Sequence, residues 1–151
     1  MTKINFGRLF IGGLIASVLL FLSDGFLHEN IVKQYWEFLY QGLGGKAPEG
    51  HATSMVYFFI FELGRGFLAI FLYALMRLFH GPGPKTAIIA AVVAWITCSV
   101  TGPAEFIPLG FYGRRMWLII AGYQLVTSIV ANLLAAWIYR DPATSVTPES
   151  A

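Results

Sequence analysis

Between Ser54 and Phe79 the chain reads SMVYFFIFELGRGFLAIFLYALMRLF. Before Arg77 only Glu62 and Arg65 break its apolar character with charge. At about 1.5 Å per residue, a helix of this length crosses the roughly 30 Å of hydrocarbon in a bilayer. The apolar residues run continuously and do not alternate, which argues against a membrane-barrel strand. A helix also satisfies its own backbone groups where lipid offers no partner.

Three other segments read the same way: Phe6 to Leu27, the shorter Thr86 to Gly102, and Met116 to Tyr139. The expected fold is therefore all-α, an integral membrane four-helix bundle. An additional short interfacial amphipathic helix is expected after the first span. There Ile31, Tyr35, Phe38 and Leu39 share one helical face between Glu29 and Gln41. Residues 1–142 form a single transmembrane domain in this reading, followed by a small, polar, disordered tail over 143–151.

Composition leads to the same class. Of 151 residues 57% are hydrophobic and only 12% are charged, about half the roughly 25% of a soluble domain. Mean hydropathy is +0.67. Disorder requires the opposite balance. The net charge of +2, without a basic stripe, argues against nucleic-acid binding. One cysteine leaves no internal disulfide or multi-cysteine metal site.

Turn chemistry separates the spans. Gly81-Pro82-Gly83-Pro84 interrupts any helix and links spans two and three tightly. Leu43 to His51, rich in glycine, reads as a loop, and Gly102-Pro103 is expected to end span three. Lys3 and Arg8 before an apolar run suit a signal peptide, but Ser23-Asp24-Gly25 is a poor cleavage site, so span one is read as retained. Lys3, Arg8, Arg77, Lys85 and Arg140 fall on the amino-terminal side, against Lys33, Lys46, Arg114 and Arg115 on the other. This bias places both termini in the cytoplasm. The expected location is the bacterial cytoplasmic membrane.

The turn Gly-Pro-Gly-Pro-Lys-Thr-Ala from Gly81 to Ala87 leads into an alanine-rich span containing Trp95. The last span closes with Ala136-Trp137-Ile138-Tyr139-Arg140. In these features the chain resembles a group of small four-span bacterial membrane proteins. The resemblance implies the fold and no particular activity.

Ionisable residues inside spans are the informative ones. Glu62 and Arg65 are three residues apart on one face of span two. Helical side chains lean toward the amino terminus, so Arg65 and Asp24 of span one approach a common depth in the outer half. Gln124, Thr127, Ser128 and Asn132 share a face of span four, and Thr97 and Thr101 lie one turn apart on span three. His28 is one turn beyond Asp24. The expected site is a polar cluster or ligand pocket of Asp24, His28, Glu62, Arg65 and Gln124, open toward the outside. Mutual charge neutralisation that fixes helix register is the competing reading. Gly12, Gly13, Ala16 and Ser17, with Ala87, Ala91, Ala94 and Cys98, read as small stripes for close helix packing.

No catalytic residue, metal or cofactor is expected: no His-pair spacing is present. The expected partners are membrane lipids, other membrane subunits or a second copy of the chain, with no nucleic acid. The leading function is a non-catalytic scaffold, accessory subunit or binder of a small amphiphile. The alternatives are a carrier or channel for a proton or small solute, and a membrane enzyme acting on a lipid or quinone.

Overall fold

The computed structural model describes residues 4–42, 51–110 and 113–139. Of the expected loop from Leu43 to His51, residues 43–50 lie outside the described residues, as does the expected tail over 143–151, and His51 is instead the first residue of a helix. The order is α1 (Phe6–Phe26), a π-helical turn (Leu27–Ile31), α2 (Lys33–Gly42), α3 (His51–His80), α4 (Pro84–Trp95), a second π-helical turn (Ile96–Thr101), α5 (Gly102–Ala104) and α6 (Arg114–Ile138). No strand occurs among the described residues. Among the described residues four stretches are long and apolar enough to cross a membrane: Phe6–Ile31, Met55–His80, Pro84–Ala104 and Arg114–Ile138. The protein is an all-α four-helix bundle of the multi-pass membrane class.

Local chemistry sets the helix ends. Asn5 caps α1 by accepting from the Arg8 backbone N–H. Gly81 adopts φ +77°, open to glycine at little cost, and Pro84 starts α4 where its missing N–H is no loss. Thr86 Oγ1 donates to the Gly81 carbonyl and ties this turn to the helix it opens. Span three runs to Ala104, one residue past the expected stop at Gly102-Pro103. The π turn ends at Thr101, and Pro103 lies within the three-residue α5.

In the bundle, α1 and α4 each pack against both α3 and α6, and α3 meets α6 across the shorter diagonal. Small residues bring the helices close. The ring of Phe67 lies over Gly13, and a Cβ on Gly12 would stand 3.1 Å from the Ala135 carbonyl oxygen. Gly66 faces the backbone of Ser17, where a Cβ would stand 2.7 Å from nitrogen. On α4, Ala87, Ala90, Ala91 and Ala94 are buried. Larger lipid-side residues such as Phe10, Tyr57, Phe79 and Trp137 are exposed, as a bilayer solvent allows.

Each π turn displaces the inward face by one residue. At the first, the Val32 N–H donates to the Leu27 carbonyl, five residues back. After it, Val32 is buried, Tyr35, Trp36, Leu39 and Tyr40 are half-buried, and Ile31 and Phe38 are exposed, the latter by 80%. The expected face of Ile31, Tyr35, Phe38 and Leu39 is thus rotated by one position. Val32 joins Leu27, Met116 and Ile120 in a small second core. At the second turn the small stripe passes from Ala94 to buried Ser99, and Cys98 is only half-buried.

Candidate functional site

Asp24 stands near the end of α1, Glu62 and Arg65 half-way along α3, and Gln124 and Ser128 on successive turns of α6. Antiparallel packing brings them to one level between α1, α3 and α6. Arg65 Nη1 donates to Asp24 Oδ2 at 2.8 Å and to Glu62 Oε1 at 2.9 Å. Its Nη2 donates to Ser128 Oγ at 3.2 Å. Gln124 Nε2 also donates to Asp24 Oδ2. Charge-assisted bonds of this kind are about twice as strong as neutral ones. The guanidinium further lies 5.9 Å from the Phe61 ring centroid.

Asp24, Glu62, Arg65 and Gln124 are exposed by only 6%, 2%, 2% and 6%. The expected opening toward one side is therefore absent; apolar packing closes the cluster. Two carboxylate atoms in it, Asp24 Oδ1 and Glu62 Oε2, are buried without a hydrogen-bond partner.

His28 is placed elsewhere. The π turn swings it toward α2, where Trp36 Nε1–H donates to its Nδ1 at 2.9 Å. Its ring also packs against Trp36 and Phe58. A nitrogen that accepts a hydrogen bond carries no proton, so in this arrangement His28 is neutral. Thr97 and Thr101 are exposed and bond back to Val93 and Thr97 carbonyls of their own helix. Thr127 bonds to the Gln124 carbonyl. None of these three hydrogen bonds reaches the cluster.

A small cavity of about 10 Å³ lies on the side of Arg65 away from α2, bounded by Ser128, Asn132, Ala94 and Trp95 among others. It has room for one water at most. Asn132 Nδ2 donates to the Ala87 carbonyl at 2.7 Å, and its Oδ1 is buried without a partner. Trp95 Nε1 donates to the Ala121 carbonyl at 2.8 Å and joins α4 to α6.

A second polar knot, not expected from the sequence, ties the far end. Tyr139 Oη accepts from the Asn5 N–H at 3.0 Å. The Tyr73 ring meets the Tyr139 ring edge-on. Arg77 lies 4.9 Å from the Tyr139 ring centroid. In the sequence Tyr139 marks only the end of the last span, and that position does not announce a link between α1, α3 and α6.

No group of three or more His, Cys, Asp or Glu suited to a metal ion occurs among the described residues. No family model, curated protein or solved structure matches the chain.

Proposed function

We propose that this chain is a non-catalytic protein of the bacterial cytoplasmic membrane, with both termini cytoplasmic. It acts as a scaffold or accessory subunit, and its buried ion cluster is the clasp that sets the register of α1, α3 and α6. One observation carries this reading: the four principal side chains of the cluster are at most 6% exposed. An enzyme acting on a lipid or quinone, or a binder of an amphiphile, calls for a lipid-sized space beside the acids. The space beside Arg65 holds one water at most.

A carrier or channel is the second reading. It draws on the sequence of polar groups from Arg65 through Ser128 and the small cavity to Asn132. That line extends further from the cluster than the residue pattern suggested.

The test is joint neutralisation by Asp24→Asn, Glu62→Gln and Arg65→Gln. The triple change leaves no isolated buried ion, keeps the size of both acids and shortens only position 65, so the bundle is expected to stay folded with native activity in the cell. A folded triple variant that loses its cellular phenotype or a co-purifying molecule would overturn the scaffold reading in favour of transport or binding. Orientation is checked by labelling Lys46→Cys and Ser145→Cys in intact cells with an impermeant thiol reagent. Reaction at position 46 alone is expected, and reaction at 145 would invert the topology.

A further inference from the structure

Charge counting exposes an imbalance inside the clasp. Asp24 and Glu62 share a single cation, Arg65, and one nitrogen of it at that. If both acids are ionised, the dry centre of the bundle holds one uncompensated negative charge. Among the described residues, nothing nearby supplies the second positive charge. On α1, His28 accepts from Trp36 and is neutral, and Glu29 is exposed and acidic. On α6 the facing groups are Gln124 and Ser128, with Tyr123 turned to Ser23. The span containing α4 offers Cys98, which carries no positive charge.

The hydrogen bonds show the same deficit from another side. Asp24 Oδ1 and Glu62 Oε2 belong to side chains at least nine-tenths buried, and both lack a donor. The two carboxyl groups are held side by side, because both accept from the same nitrogen, Arg65 Nη1. Two carboxylates can only repel there, whereas an acid and a carboxylate can bond.

We propose that the clasp is a binding site for one proton, carried by Glu62 and shared with Asp24. The proton forms an O–H bond on the Glu62 carboxyl and makes the cluster neutral as a whole. It also provides the donor that the unpartnered carboxyl oxygens lack. The assignment to Glu62 follows from the partners: Asp24 Oδ2 accepts from both Arg65 and Gln124, while Glu62 accepts from Arg65 alone. The carboxylate with more donors is the one better held in its charged form. A metal cation fits poorly. Arg65 Nη1 already occupies the point between the acids, and only two unpartnered carboxyl oxygens remain, against the six or more that hard divalent cations take.

This inference rests on the closed-clasp reading, and its test is independent of it. The full-length protein in lipid nanodiscs is examined by infrared spectroscopy near neutral pH, with and without ¹³C-glutamate labelling. A protonated-carboxyl stretching band is expected that moves on glutamate labelling and shifts in D2O. It should be lost in Glu62→Gln. It should also be lost in Asp24→Asn, because Glu62 and Arg65 then balance as a simple ion pair. Absence of the band in the wild type overturns the proposal without reference to any variant. A band that moves on aspartate labelling overturns the assignment to Glu62, and one that survives Asp24→Asn overturns the charge-excess argument. None of these results alters the outcome of the triple neutralisation, which judges the scaffold reading alone.

Discussion

The two polar knots of the bundle join the same three helices by different physics. Toward α2, three ionisable side chains meet out of reach of solvent, and both acids bond to the one guanidinium of Arg65. At the opposite end, half-buried Arg77 rests on the ring of Tyr139, and the hydroxyl of that ring receives a backbone N–H from Asn5. Charge in the first knot is trapped, so its value depends on a partner being present. Charge in the second is next to a helix end, where water and headgroups can replace a lost contact. Position along the span, more than the number of bonds, separates the two.

The largest expected effect comes from removing the trapped cation. Arg65→Leu leaves Asp24 and Glu62 facing each other without compensation, and should lower stability by about 3–5 kcal/mol. Unfolding in mixed micelles monitored by circular dichroism measures this. An unchanged transition would mean that Arg65 contributes no more than a surface charge, and the contrast between the knots would fail.

Next comes a change without charge, one residue away. Gly66→Ala places a methyl group against the backbone of Ser17. Alanine gains about 1 kcal/mol of helix propensity over glycine, but overpacking typically costs about 1–3. The backbone of a neighbouring helix cannot yield as a flexible side chain would, so the clash should prevail, with a net loss of up to about 2 kcal/mol. The same unfolding assay reads it, and a gain in stability would show that α1 and α3 can separate freely.

The smallest effect belongs to the far knot. Tyr139→Phe keeps the ring under Arg77 and beside Tyr73 but removes the acceptor for Asn5. The loss should be about 1 kcal/mol, the net worth of one hydrogen bond. A loss equal to that of Arg65→Leu would place the two knots on the same footing.

Much of the ion clasp was legible in the order of the residues. A helix rises about 1.5 Å per residue whatever its neighbours. Counting from span ends therefore puts Asp24, Arg65 and Gln124 at one depth, and their polarity gives reason to face inward. Glu62 follows from its three-residue spacing to Arg65. His28 did not follow. One turn beyond Asp24 in a regular helix, it lies instead in a π turn, with Trp36 as its partner. The knot around Tyr139 was hidden too, because Asn5 contributes a backbone N–H, which no residue type announces.

Span number, span length, helical class and axial depth were determined by the amino-acid order, since each depends only on apolar run length and helical rise. Rotation about each axis was decided by the tertiary structure. A π turn adds a residue without adding a turn, so every side chain beyond it moves round by one place. Val32 thereby replaces Ile31, and Ser99 replaces Cys98, on the inward face. Closure of the clasp was decided at the same level. Whether four polar side chains line an open pocket or a sealed knot depends on how near the helices come, and Gly13 and Gly66 let α3 lie directly on α1. That proximity arises from two surfaces fitting together, a property of the pair that neither segment carries alone.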